Sequence, residues 1–190
     1  MDRLHGEVPT RHGRVCAWFS LQGVHPKMHM NYPWKMPLIG RSIQEANGRV
    51  IHEWAMNVPV SRLWWGLTDP NALPQWLGTL TNGSFTSGGE ATIRHAENYF
   101  CTSQILECEP EQLLFMTWKF PDEALSKLQI KLAQLDESAS LLLIHDGLGD
   151  DATSYLPGWH THLLYLEDLL LGHPRSMSEF WSTYEELREI

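Results

Sequence analysis

Apolar positions in residues 157–172 recur with helical spacing. Trp159, Leu163, Leu166 and Leu170 lie four, three and four residues apart, so they share one face. His162 and Leu169 widen that stripe. Pro157 suits the first turn, where its missing N–H costs nothing. Gly172 suits the left-handed residue after the last turn, and Pro174 blocks continuation. This predicts one long helix, and a helix apolar on one side needs a sheet to lie on.

The strands before it supply one. Residues 38–45 and 49–58 flank Ala46-Asn47-Gly48, and Asn-Gly is the strongest short hairpin signal. In the second strand Val50, His52, Trp54, Met56 and Val58 share one face, and Ile51, Glu53, Ala55 and Asn57 the other. Residues 59–67 read as a short helix carrying Leu63, Trp64 and Leu67. Asp69 as N-cap with Pro70 predicts a second short helix to Leu77, with Leu73, Trp76 and Leu77 inward. Residues 78–89 are turn-rich. Strands are expected at 90–95, 99–108, 112–120, 126–135 and 139–146. The cleanest is 126–135, where Leu128, Ile130 and Leu132 alternate with Lys127, Gln129 and Lys131. Their spacing argues an antiparallel meander. An acidic loop over 147–156 then leads into the long helix.

Beyond it, Ser176 and Glu179 form a capping box. The helix it opens carries an apolar patch of Met177, Phe180, Trp181 and Tyr184, extended by Leu187. Packing onto the domain is the preferred role of that patch, with a homodimer face as the alternative. Residues 1–36 show no sustained period, and Met28, Met30 and Met36 are alternative starts. His25 and His29 are four apart, but Pro26 and Pro33 disfavour the helix that would make them metal ligands. The chain therefore divides into an irregular arm, residues 1–37, and one α+β domain, residues 38–190.

Composition narrows the function. A net charge of −9 over 190 residues argues against nucleic acid and against an anionic membrane surface. No run reaches the ~20 apolar residues of a membrane helix. Cys16, Cys101 and Cys108 make an odd set without metal spacing, which suits reduced thiols in the cytoplasm. There is no phosphate loop, Rossmann glycine pattern or nucleophile elbow, so no cofactor is expected.

The order of elements and several motifs resemble a known superfamily. Strand, two short helices, antiparallel strands and a long C-terminal helix is the helix-grip order of the SRPBCC superfamily, the START and birch-allergen-like proteins. The run from Val60 through Trp64 and Thr68-Asp69-Pro70, followed by Trp76, resembles the signature of its AHSA-type members. Those resemble the C-terminal domain of the co-chaperone that activates the ATPase of heat-shock protein 90. Gly158-Trp159-His160 with Leu163, Leu166 and Leu170 is similar to their long helix, and Phe180-Trp181 through Tyr184 to the closing segment of one bacterial branch. Trp65 departs from the small residue usual at its place. The resemblance covers residues 38 onward and implies a curved sheet wrapped round the long helix with a cavity between them.

Mostly apolar pockets with a few convergent polar groups are the default ligand sites. The expected lining is Trp54, Met56, Thr117 or Trp118, Ile130 and His145 from strands, with Trp159, His162, Leu163 and Leu166 from the helix. The competing reading is that these residues simply fill a core. Acid–base chemistry would fall to an inward histidine, with His52, His95, His145 and His162 as candidates. Asp146, Glu53 or Tyr99 would be its partner. His160 and His162 are two apart on a helix and point away from each other, so they cannot share a metal. Binding of a small hydrophobic or aromatic molecule is the first expectation. A cofactor-free cyclase, dehydratase or hydrolase in the same cavity is the second. A chaperone-binding module, which the resemblance alone implies, is the third.

Overall fold

The computed structural model describes residues 40–45 and 47–188. The start of the predicted first strand, the N-terminal arm, and His25 and His29 lie outside the described residues. Eight strands form one antiparallel sheet in the order β1-β2-β8-β7-β6-β5-β4-β3. They are β1 (Gly40–Glu45), β2 (Arg49–Met56), β3 (Thr79–Gly83), β4 (Glu90–Ala96), β5 (Tyr99–Glu109), β6 (Leu113–Trp118), β7 (Ser126–Leu135) and β8 (Ser138–Asp146). From β3 to β8 the chain is a meander, and β8 then pairs with β2, Trp54 opposite Leu141. Helices α1 (Val60–Thr68), α2 (Ala152–Leu170) and α3 (Phe180–Arg188) complete an α+β helix-grip fold, with α2 along the curved sheet.

The predicted hairpin forms in the expected register, Glu45 opposite Arg49. The whole inward face of β2, from Val50 through His52, Trp54 and Met56 to Val58 beyond its end, is buried. Trp159, Leu163, Leu166 and Leu170 meet that face from α2 and are at most 5 % exposed. Removing a Leu side chain from water contributes roughly 2 kcal/mol, so this seam is the main cohesive contact of the fold.

Four expectations are corrected. The second short helix is one turn followed by a 3-10 turn over Leu73–Gln75. Pro74 lacks the N–H a longer helix would need, and the Asp69 side chain instead accepts from the Asn71 N–H at 2.8 Å. Its inward residues Leu73, Trp76 and Leu77 are buried as predicted. The turn-rich segment contains strand β3, too polar and too short for an alternation signal. The long helix starts at Ala152, so Pro157 lies inside it. The acidic stretch read as a loop is a 3-10 turn at Gly149–Asp151 that runs into the helix, with Asp150 and Asp151 at the end where the helix dipole favours anions. Finally, Trp181 leaves the C-terminal patch and is 69 % exposed, while Phe180 packs on Tyr165 of α2. Ser176 caps as expected but accepts from Ser178.

Candidate ligand site

The ends of β4, β6 and β8 and the starts of β5 and β7 lie at one end of the sheet, as the pairs Ala96–Tyr99, Trp118–Ser126 and Lys127–Asp146 require. The first half of α2 crosses that end. Tyr155, Trp159 and His162, at spacings of four and three, share its inner face. From the sheet side come His95, Trp118, Phe120 and His145. Trp118 and Trp159 are 5.3 Å apart between ring centroids, and Trp118 and Phe120 5.9 Å. Of the alternatives Thr117 and Trp118, the register turns Trp118 inward, while the Thr117 hydroxyl accepts from the Gln104 N–H.

His145 sits in this cluster but is fully occupied. Its Nδ1 accepts from the Trp159 indole N–H at 3.0 Å. An indole only donates, so the hydrogen of a neutral His145 is on Nε2. That nitrogen lies 2.8 Å from the Ser126 hydroxyl, which donates at 3.1 Å to the Trp118 carbonyl. Every direction in the chain is thereby fixed. Ser126 and His145 look like a nucleophile and its base, but the imidazole donates to the hydroxyl. Burial also drives the His145 pKa down to about 3. Alongside, the Trp118 indole donates to the Tyr155 hydroxyl at 3.1 Å, which donates to the Glu123 carboxylate at 2.5 Å.

His95 is the opposite case. The β4–β5 register breaks between Arg94 and Ala96, which leaves His95 as an unpaired bulge residue. Bulges re-aim side chains in this way. Its ring packs edge-on against Phe120 at 4.9 Å and Trp118 at 5.7 Å. Its Nε2 is buried and has no hydrogen-bond partner. Burial, and then the proximity of His162, lower its pKa to about 3. The outer side of His95 lines a cleft of about 520 Å³ bounded by Pro74, Leu77, Gly78, Arg94, Glu97 and Met177. A side chain at Gly78 would strike the Arg94 carbonyl at 2.6 Å, so glycine lets this wall sit against β4.

His162 completes the pair. It lies 2.5 Å through Nδ1 from the Trp76 carbonyl, and its ring packs on Phe180 at 4.4 Å and on Trp159 at 5.8 Å. Burial lowers its pKa to about 4, with the Trp76 carbonyl pulling the other way.

The remaining predicted residues fall elsewhere. Met56, Ile130, Leu163 and Leu166 are buried deeper between sheet and helix, at most 3 % exposed. Tyr99 stacks on Phe120 at 4.5 Å and donates to Asp122 rather than to a histidine. Asp146 pairs with Arg49, and Glu53 is exposed, so neither orients an imidazole. His52 meets neither His95 nor His145. It contacts the Ser42 hydroxyl at 2.7 Å and lies beside His160. Its Nε2 has no partner, and burial first, then His160, lower its pKa to about 3. The Leu156 carbonyl acts the other way without a hydrogen bond of normal geometry to Nε2. Trp54 donates to Glu167 at 3.1 Å, a buried carboxyl whose pKa burial raises to about 7. Sequence reading passed over Glu167, although a charge at the Leu163 + 4 position of an apolar stripe marks it. It missed Tyr155 because the helix start was placed too late. Among the described residues no group of three or more His, Cys, Asp or Glu could hold a metal ion, and no helix is long and apolar enough to cross a membrane.

A family model described as activator of Hsp90 ATPase homolog 1-like protein matches residues 57–170, more than half of the chain. No curated protein matches. Among solved structures, CalU16 from Micromonospora echinospora is similar at 23 % identity and TM-score 0.63, over 74 % of this chain and 84 % of that one. The protein encoded by BPP1335 from Bordetella parapertussis is similar at 26 % identity and TM-score 0.61, over 84 % and 93 %. PFC0360w from Plasmodium falciparum, described as an HSP90 activator, is similar at 17 % identity and TM-score 0.56, over 67 % and 99 %.

Proposed function

The chain belongs to the family of activator of Hsp90 ATPase homolog 1-like proteins, and from that premise we propose that it binds a small aromatic or hydrophobic molecule at the His95 end of the fold. The observation that carries this reading is the His95 Nε2, buried and unpartnered beside Trp118 and Phe120 at the inner wall of the cleft. An orphaned buried polar atom costs about 1–3 kcal/mol, which a ligand group can recover. The cleft falls within the range of small-molecule pockets. His162, Trp118 and Trp159 would form the contact surface. His145 would hold Trp159 in place, and Trp54, Met56, Ile130, Leu163 and Leu166 would back the site from the core.

An enzymatic reading in the same place has less support. A general base needs a free lone pair and an orienting partner. His145 has both nitrogens engaged, and none of the candidate carboxylates meets a histidine. The family suggests chaperone interaction as a further role, and co-precipitation with that chaperone at micromolar concentration tests it.

Native mass spectrometry of freshly purified protein, followed by denaturing extraction, tests the binding reading. The expected result is a mass excess that disappears on denaturation, releasing a compound with an aromatic body. An apo mass, in protein that also leaves added naphthalene unbound, would overturn it.

A further inference from the structure

The histidine pair at the site restricts the chemistry of what can sit there. The Trp76 carbonyl can only accept, so the hydrogen of His162 is on Nδ1. Burial keeps this imidazole neutral near pH 7, which leaves its Nε2 as a bare lone pair. His95 is close enough for a charge on His162 to oppose one on itself, and its buried Nε2 is unused. An acceptor and an unspent nitrogen therefore stand beside one another among Trp118, Phe120, Trp159 and Phe180. Neither imidazole accepts a proton cheaply, so neither can neutralise an incoming carboxylate. The one cation of the cleft, Arg94, is exposed at its rim.

Resting on the aromatic-ligand reading above, we propose that the group seated at His95 and His162 is an uncharged hydroxyl on a flat aromatic body, that is, a phenol. A hydroxyl can donate to the His162 lone pair while its oxygen accepts from an N–H of His95. An ether of the same shape can only accept, and it strands the His162 lone pair. A carboxylate brings a buried charge with no buried cation. Sites built to hydrogen-bond a hydroxyl reject analogues that lack it more strongly than apolar pockets reject one methylene.

Titration of the full chain with 2-naphthol, 2-methoxynaphthalene and 2-naphthoate, read by tryptophan fluorescence, tests this. Trp118 and Trp159 are the reporters. 2-Naphthol should bind at least about tenfold more tightly than either analogue, the worth of roughly one buried hydrogen bond. His162→Phe should remove that preference while retaining the ether, and His95→Phe should reduce it. Equal affinities for naphthol and its ether would overturn the proposal, as would a preference for the carboxylate. If a variant does not fold, the wild-type series alone decides. If none of the three binds, the aromatic-ligand reading fails with it. Binding without selectivity overturns the phenol alone.

Discussion

Neutral buried side chains with fixed hydrogen-bond directions set the character of the site at the residue scale. Trp159 is both a wall and the donor that fixes the His145 tautomer. Trp159→Phe keeps most of the ring area but strands the His145 Nδ1, so it should cost about 1–3 kcal/mol in urea unfolding. Glu167 makes the opposite prediction. Its folded pKa of about 7 lies above the ordinary carboxyl value of 4.5, so the native state holds its proton more tightly. Stability from this group is present below pH 4.5 and is lost as pH rises towards 7. Glu167→Gln keeps an acceptor for the Trp54 N–H and removes the ionisation. It should stabilise the protein at pH 8 by on the order of 2–3 kcal/mol and have little effect at pH 4.5.

At the element scale, much of the fold was legible because period and turn chemistry agreed. The 49–58 alternation and Asn47-Gly48 predicted the hairpin, and the α2 stripe predicted which residues meet it. Gly48 shows how tightly that turn is fixed. It has φ +76°, and a side chain there would lie 2.5 Å from the Gly149 amide nitrogen just before α2. Gly48→Ala should therefore destabilise by roughly 2 kcal/mol or more in thermal or urea unfolding, well above a solvated loop change. The misreadings share a cause: tertiary contacts overrode a local signal. Pro157 was read as a helix start because that is its cheapest place, yet the exposed turn at Thr153 tolerates the lost bond. β3 forms because β4 offers it a partner edge, which its own Thr-Leu-Thr-Asn-Gly does not announce. The site was half visible. Its tryptophans and histidines could be named. The His95 bulge, the tautomer of His162 and the engagement of His145 depend on strand register and on contacts across the sheet.

On the scale of the whole molecule, the interior is built to exclude charge. His52, His95 and His145 have pKa values of about 3 and His162 about 4, all below the ordinary 6.5. Such groups contribute stability above pH 6.5 that is lost as pH falls, because the unfolded chain takes up protons first. Each costs about 2 kcal/mol between pH 6.5 and pH 5, so four together outweigh the gain from Glu167. Urea midpoints should fall steeply over that interval, and substituting any one of these histidines by Phe should make the fall shallower. The same neutral interior gains from an uncharged ligand. Saturation with 2-naphthol at about 100 times its dissociation constant should add roughly 2.7 kcal/mol of stability.

The central claim is that a small aromatic molecule seats against His95. Long-range proton–nitrogen NMR of protein labelled at histidine nitrogen, with and without saturating 2-naphthol, tests it most directly. The account predicts that the Nε2 resonances of His95 and His162 move on binding, while His145, held between Trp159 and Ser126, keeps its tautomer and nearly its shifts. A bound probe that leaves His95 unmoved would contradict the account, and so would a spectrum that does not change at all.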